Sequence, residues 1–448
     1  MRKAMLWGRF LCAAVLGATL AAADYLPSAR ILVVSDEGLE LSRYDLFWGS
    51  LRDRGYELAF KTSKDAQPPL RDHDTLAFDH LLLFAPSSKS FPPDLSPQSL
   101  YSYVQQGANL LVVLSPELSE FWRDFAREFD VDFDDRGHLA IDHFSYASEL
   151  DDGSHTTLLL SLADAPTPFI SPATRAGPPL LYRGTTHAVG RLPLLTNILH
   201  APSTGYSYDA NGEDAPTDDL YLSGSTGGLV SALQAKNNAR VSFVGSLDLF
   251  SDTFAEAQVS MSGDAASVRS GNTAFIADLT RWTFGESGLL KVDEVRHARV
   301  DDGASAELYR VGDELCPDRQ QVYSIDVSAF QDGSWRPYLA DDLQLEFTML
   351  DPHLRLPLSA SSAEPAVSTA ASRFSARFQA PDRHGVFTFK VDYRRAGWSF
   401  IDEKTVVSVT PPRHDQYERF ITGALPYYGG AASVSIATVG FVVLWLLQ

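Results

Sequence analysis

The sequence predicts an α/β region, then an all-β sandwich-like region, then a single C-terminal transmembrane helix. Three observations carry this reading. Short unbroken apolar runs such as Ile31–Val34 and Leu110–Leu114 alternate with helical patterns through the first half, as strands buried on both faces do. From Leu289 onward the hydrophobic period falls to two, the mark of half-buried antiparallel strands. Finally, Gly429–Leu447 carries no charged residue and has about the length that a bilayer core requires.

At the N-terminus, Arg2, Lys3 and Arg9 precede an apolar run from Phe10 to Leu20, and Ala21, Ala22 and Ala23 offer a small-residue cleavage site. Residues 1–23 are therefore expected to be a signal peptide, leaving Asp24 first in the mature chain. The apolar run is too short for an anchor.

Residues 24–285 read as the α/β domain. Ile31–Val34, Leu81–Phe84, Leu110–Leu114 and Val241–Val244 are the predicted parallel strands. Leu41–Arg54, Gln98–Gln106 and Glu117–Phe129 are the predicted helices, the last with Ser115 as N-cap and Pro116 as its first residue. Asp209–Asp219, with Asn211, Gly212 and Pro216, is a polar loop followed by Gly224, Gly227 and Gly228. Ser260–Gly271 is small and polar, and Asn272–Phe284 is predicted to be a helix that closes the domain or links it onward.

Residues 286–410 are expected to form one or two sandwich-like units. Tyr323, Ile325 and Val327 alternate with Ser324 and Asp326, and Leu343, Leu345, Phe347 and Met349 with Gln344, Glu346 and Thr348. Phe374 and Phe378 flank Arg377 in the same manner, while Phe387, Phe389, Val391 and Tyr393 alternate with Thr388, Lys390 and Asp392. In each strand the apolar set should face the core and the polar set solvent. Ser359–Ala371 reads as an exposed loop. Pro411 and Pro412 open a juxtamembrane connector over 411–426, and 427–448 is the membrane helix, with Tyr427, Tyr428 and Trp445 at interfacial positions.

Within that helix Gly429, Ser433, Ala437 and Gly440 recur at intervals of four, four and three. This puts small side chains on one face, where a partner helix can approach closely. Arg413 and Arg419 precede the span and no cation follows it before Gln448. Either a short basic tail belongs beyond that residue or neighbouring spans hold the helix.

Composition narrows the function. A formal net charge of -20 and a pI near 4.9 exclude nucleic acid as a partner, because a polyanion is repelled. Cys12 leaves with the signal, so Cys316 is alone in the mature chain and has no intrachain disulfide partner. No Asn-x-Ser/Thr sequon occurs.

In open α/β sheets, ligands bind where strands end at their carboxyl side. The residues there are Ser35, Asp36, Ser87 to Lys89, Ser115, Glu117, Ser246 and Asp248, which constitute the candidate cleft. No G-x-G-x-x-G follows the first strand, no G-x-S-x-G elbow follows any strand, and no H-E-x-x-H occurs. Ser246 has no specific His partner and reads as a helix-capping serine. Asp130-Val131-Asp132-Phe133-Asp134-Asp135 contains D-x-D pairs that can hold a divalent ion in glycosyltransferases. The period-two alternative puts Val131 and Phe133 inward and the carboxylates in water, and it is preferred. Asp209, Asn211, Gly212 and Asp214 fall short of a calcium loop, since Gly is misplaced and no closing Glu follows. No catalytic residue, metal ligand or cofactor is therefore assigned.

The segments LQLEFTMLDPHLRLPL at 343–358 and PDRHGVFTFKVDYRRAGWSFIDEKTVVSVTPPRHDQYERFI at 381–421 resemble the family of 48-kilodalton subunits of the endoplasmic-reticulum oligosaccharyltransferase. ILVVSDEG at 31–38, FVGSLDLFSD at 243–252 and NTAFIADLTRWTFGESGLLKV at 272–292 extend the likeness in order over nearly the whole mature chain. The resemblance implies a non-catalytic subunit of the complex that transfers a preassembled glycan from dolichol diphosphate to Asn of nascent proteins. It implies a single-pass type I protein of the endoplasmic-reticulum membrane with its bulk in the lumen and other subunits as partners. Catalysis, with a divalent metal, is implied for a different multispanning subunit. A short basic cytosolic end is general in that family and is not present after Gln448. Two other readings compete: recognition of glycan or acceptor polypeptide by the strand-end cleft, and a free-standing lumenal hydrolase or transferase.

Overall fold

The computed structural model describes residues 29–65, 70–72, 75–89, 91–209, 222–259, 267–299, 308–310, 320–331, 333–360, 368–381, 383–411, 414 and 421–447. The signal peptide expected over 1–23, Cys12 within it, Cys316, the Asn211, Gly212 and Asp214 positions, most of 260–271, and Arg413 and Arg419 lie outside the described residues.

The first half is built on a nine-stranded mixed sheet. Its strands are β1 (Arg30–Ser35), β2 (Glu57–Thr62), β3 (His80–Phe84), β4 (Asn109–Val113), β5 (Val131–Phe133), β6 (His187–Val189), β7 (Leu195–His200), β8 (Gly228–Gln234) and β9 (Arg240–Val244). They lie in the order β2-β1-β3-β4-β9-β8-β6-β5, with β7 also on β8. The four predicted strands are all present, and with β2 they form the parallel part of the sheet. The remaining four strands pair antiparallel. Of this half, sequence disclosed only the alternation at Val131 and Phe133 in β5; β6, three residues long, is too short for a period to register.

Helices cover both faces. Alternate residues of one strand enter opposite layers, as the pleat requires. Ile31, Val33, Leu82 and Phe84 pack with Phe47, Trp48 and Leu51 of α1 (Asp45–Asp53). Leu32, Val34, Leu81 and Leu83 pack instead with Leu100 and Tyr103 of α2 (Pro97–Gln105) and Trp122 and Phe125 of α3 (Glu120–Arg127). Each such fully buried side chain contributes about 1.5–3 kcal/mol relative to exposure. Phe275, Leu279 and Trp282 of α4 (Asn272–Thr283) return to the α1 side, so the predicted closing helix is confirmed.

One helix start is corrected. Ser115 does not cap α3. Its carbonyl accepts from the Leu118 amide in a turn at 3.0 Å, and Ser119 occupies the N-cap position. The chain is held in that turn because the Ser119 amide donates to Pro86 O at 2.9 Å and its hydroxyl to Ser88 O at 2.7 Å. Tertiary bonds to the neighbouring strand end thus delay the helix by one turn.

The second half is a β-sandwich. One sheet contains β10 (Leu289–Arg299), β11 (Gln320–Gln331) and a later strand, Ser372–Gln379; the facing sheet contains β12 (Gln344–Met349) and β13 (Asp351–Pro357). With Ser372–Gln379 taken as β14, the facing sheet also contains β15 (Gly385–Tyr393), β16 (Ile401–Thr410) and the short strand Leu308–Arg310, which runs parallel to β16. Tyr323, Ile325, Val327, Leu345, Phe347, Phe374, Phe387, Phe389 and Val391 form one core between the sheets, matching the predicted inward set.

Two expectations on the opposite faces fail. Ser324 and Asp326 are buried rather than in water, because Asp326 accepts two bonds from Arg373 at 2.7 and 2.8 Å. Paired and hydrogen-bonded, the carboxylate tolerates burial that it could not sustain alone. Within the predicted loop 359–371, Ser359 and Ala360 pair with Ser375 and Phe374.

The two halves meet in a hydrogen-bonded joint. Trp282 Nε1 donates to Gly397 O at 2.8 Å, Gln234 Nε2 to Trp398 O at 2.7 Å, and the Phe400 amide to Asn238 Oδ1 at 2.9 Å. Gly397 has φ +84°, and a β-carbon there would stand 2.6 Å from Pro168 Cδ, so only glycine fits. The last element, α5 (Leu425–Leu447), is apolar throughout and is long enough to cross a membrane. It begins two residues before the predicted boundary.

Candidate functional site

The parallel strands place their carboxyl ends along one edge. β2 lies on one side of β1 and β3 on the other, so the strand order reverses between β1 and β3. Such a switch point leaves the crevice in which open α/β sheets bind ligands. Asp36 follows β1 there and Ser87 follows β3.

Those residues are already bonded to one another. Asp36 Oδ2 accepts from the Ser87 amide at 2.8 Å and from Ser87 Oγ at 2.6 Å. Asp36 Oδ1 accepts from Ser88 Oγ, which also shares a 2.7 Å bond with Ser63 Oγ. Ser35 itself is buried, and the Ser63 amide donates to its carbonyl at 2.8 Å. The cluster stitches the ends of β1, β2 and β3 together. Ser63 was not anticipated, because β2 has mixed exposure along its length and lacks the solid apolar run that revealed its neighbours.

Ser246 and Asp248 follow β9, beyond β3 and β4 in the sheet. With strands about 4.8 Å apart, they share an edge with Asp36 but not a site. Ser246 is fully buried. Its hydroxyl donates to Arg183 O and accepts from the Leu249 amide at 3.1 Å, so it caps the turn that follows, as predicted, and is not held as a nucleophile. Burial raises the carboxyl pKa of Asp248 against the opposing pull of Arg183 and Arg43. Ser115 lies partly exposed after β4. The candidate residues therefore divide into one bonded serine–aspartate knot, the Ser246 cap, and Ser115 and Asp248, which stand apart from both.

The D-x-D segment is accounted for by local partners. Val131 and Phe133 are buried in β5 as expected. Asp132 Oδ1 accepts from Arg127 Nε at 2.9 Å, and Asp130 Oδ2 accepts from the Arg191 and Leu192 amides at 2.7 and 3.1 Å. Asp134 departs from the predicted solvent exposure. It is buried, accepting from the Asp135 amide at 2.8 Å with His138 Nδ1 3.1 Å away. Its neighbour Phe133 is inward too, because strand β5 ends at that residue and the alternation ends with it. Among the described residues no group of three His, Cys, Asp or Glu side chains is placed to hold a metal ion.

A second concavity, of about 510 Å³, opens at the joint between the halves. Arg54, Pro168, Phe169, Arg281, Phe330 and Arg336 are among its lining residues. Arg54 is paired within it, donating to Glu286 Oε1, another lining residue, at 3.0 Å and to Thr280 Oγ1 at 2.9 Å. Among the described residues, neither the strand-end cluster nor this concavity assembles a nucleophile, a base and an orienting group. On α5, the predicted face of Gly429, Ser433, Ala437 and Gly440 is exposed, with Ser433 Oγ donating back to Gly430 O at 2.8 Å.

Two family models match the chain: "OST48, N-terminal domain" over residues 23–286 and "OST48 middle domain" over 297–448. The dolichyl-diphosphooligosaccharide–protein glycosyltransferase 48 kDa subunit of Drosophila melanogaster is 36% identical, over 99% of this chain and 96% of its own length. The subunit of the same name from Caenorhabditis elegans is 34% identical, over 93% and 91%. Subunit wbp1 of the same enzyme from Schizosaccharomyces pombe is 34% identical, over 93% and 92%.

Proposed function

The chain belongs to the OST48 family, and from that premise we propose that it is a non-catalytic, assembly-holding subunit of the oligosaccharyltransferase complex. That complex transfers a preassembled glycan from dolichol diphosphate to Asn of nascent proteins. The single observation that best supports the non-catalytic part is the Asp36–Ser87–Ser88–Ser63 knot. At the position where such sheets present ligand-binding groups, the polar atoms are spent on one another.

In this reading residues 1–23 are the signal peptide, the α/β and sandwich halves occupy the lumen of the endoplasmic reticulum, and α5 crosses its membrane once in type I orientation. Other subunits meet the lumenal surfaces, and the Gly429, Ser433, Ala437 and Gly440 face receives a partner helix closely enough for backbone contact. No cofactor is assigned to this chain.

Depletion and replacement test the proposal. Cells depleted of the chain should under-glycosylate a reporter and yield a purified complex that lacks further subunits, and the wild-type chain should restore both. Retention of full composition and activity in its absence defeats the reading. The competing recognition role requires Asp36 to release Ser87 and Ser88 for sugar hydroxyls or an acceptor peptide. Titration of the purified complex and of its Asp36→Asn variant with lipid-free oligosaccharide separates the two: equal affinities leave the cleft without that role.

A further inference from the structure

The outer face of the sheet formed by β12, β15 and β16 changes character along its length. At one end, Asp392 pairs with Asp402, and the next outward row is Glu346, Lys390 and Lys404. These rows are charged and cross-linked, with Lys390 Nζ 3.3 Å from Asp392 and Arg355 bonded to Glu346 at 3.0 Å. Beyond them the charge stops. The following rows are Thr348, Thr388 and Val406, then Val386 and Ser408. Val386 and Val406 are 61% and 66% exposed, and Leu350, in the turn between β12 and β13, is 104% exposed. Leu350 also has φ +69°, a conformation in which a side chain meets its own backbone and which Gly or Asn usually supplies. A large apolar side chain is thus held in a strained turn, fully outside the core.

The direction of the chain gives this end its meaning. β16 runs from the charged rows at Ile401 towards Val406 and Ser408, whose partners on β15 are uncharged, and ends at Thr410 opposite Arg310 of the flanking strand. Only residues 411–421 then separate it from the short turn that leads into α5. Even fully extended, that connector spans about 40 Å, so the uncharged end is tethered next to the membrane that α5 enters. A tether of this length keeps the local concentration of bilayer surface high without any further contact. Arg383 and His384 are exposed in the turn before β15, where cations suit the headgroup level beside the exposed apolar side chains.

We propose that this end of the sandwich is a membrane-contacting surface, in which Leu350, supported by Val386 and Val406, enters the headgroup and upper acyl region of the bilayer crossed by α5. The occupant is lipid, not a second protein. Exposed apolar side chains at the end of a rigid, membrane-tethered body behave as do the apolar faces of interfacial helices, burying a few residues at the boundary of headgroups and acyl chains. The inference rests on α5 spanning the membrane and is independent of which complex the chain joins.

The test uses the full chain in phosphatidylcholine nanodiscs, with Cys12 and Cys316 replaced by Ser. Single cysteines are introduced as Leu350→Cys, Val386→Cys, Asp402→Cys and Thr422→Cys and labelled with an environment-sensitive fluorophore. All four positions are at the surface, and matched thermal melts verify the fold. Nitroxide-bearing lipid should quench the labels at 350 and 386 at least threefold more than the label at 402, with position 422 quenched as the anchor control. Equal quenching at 350 and 402 overturns the proposal. So does a blue-shifted label at 350 that nitroxide lipid fails to quench, which would identify a protein contact. Absence of quenching at 422 removes the anchoring premise and the proposal with it.

Discussion

The guanidinium carbon of Arg240 stands 4.7 Å from the centre of the Trp282 ring, while its Nη1 donates to the Trp282 carbonyl at 2.5 Å and to Ser287 O at 2.7 Å. Its Nη2 donates to Gly288 O at 2.9 Å. Trp282 lies in the last turn of α4, where unsatisfied carbonyls carry partial negative charge. Helix end and indole face together accommodate a fully buried cation, although burial still pulls its pKa down to about 9. Replacement by Met removes the side-chain donor from Ser287 O and one of two donors from Trp282 O and Gly288 O, which keep the Gly285 and Ser399 amides at 3.1 and 2.9 Å. We expect Arg240→Met to destabilise the protein by about 1–3 kcal/mol, read from denaturant midpoints.

Gly397 supplies the carbonyl that Trp282 Nε1 uses. Its positive φ and the closeness of Pro168 make Gly397→Ala costly twice, through strain of about 1–2 kcal/mol and through displacement of the 394–400 loop. The joint should loosen before either half unfolds. Limited proteolysis should therefore cut between residues 285 and 290 in the variant at a protease dose that leaves the wild type intact.

Asp252 caps α1 across 207 positions of sequence, accepting from the Asp45 and Leu46 amides at 3.0 Å each. Removing both bonds with Asp252→Ala should cost about 1–2 kcal/mol. Asp252→Asn should recover at most about half of it, since its single amide oxygen can accept in place of only one of the two carboxylate oxygens.

Burial holds His187 near a pKa of about 3 and His80 near about 4, both below the ordinary value of about 6.5. Below pH 6.5 the unfolded chain gains protons that the folded chain refuses. Stability is therefore complete above that pH and falls on acidification towards pH 4, by up to about 1.4 kcal/mol per unit for each residue. Neither ring nitrogen of His187 has a hydrogen-bond partner among the described residues, which fits a ring kept neutral. Melting curves from pH 7 to 4.5 should show the decline, and His80→Gln should remove about half of the slope.

Bulk on the small-residue face of α5 should impair assembly without impairing insertion. Ala437→Leu and Gly440→Leu are expected to lower co-purification of other subunits several-fold while leaving the chain resistant to carbonate extraction. Val439→Leu, at an exposed position that already carries a larger side chain, should change neither.

Strands with solid apolar runs were legible because burial on both faces leaves an unmistakable pattern, as in Leu81–Phe84. The sandwich was legible for the complementary reason, since one face of Leu343–Met349 must remain dry. What escaped were relationships that no local pattern encodes. Ser63 joins Asp36 only because β2 happens to end beside it. Asp326 reads as a solvent residue until Arg373, 47 positions away, comes to meet it. Ser115 has the sequence context of a cap, yet bonds from Ser119 to Pro86 and Ser88 decide where α3 begins. At the candidate cleft, sequence placed Asp36 and Ser87 just beyond the carboxyl ends of parallel strands, where they lie. Whether its carboxylates and hydroxyls were available or already spent required coordinates.

The Asp252 cap and the central place of β9 also set a timetable for synthesis. β1 to β4 and α1 are complete once about 130 residues have emerged, but the strand that flanks β4 comes a hundred residues later, and the cap of α1 later still. At about 5–20 residues per second, the open edge of β4 faces the surroundings of the nascent chain for several seconds or more. During that interval an unpaired apolar strand edge is an aggregation hazard, and a chaperone that shields such edges would be needed before the sheet can close.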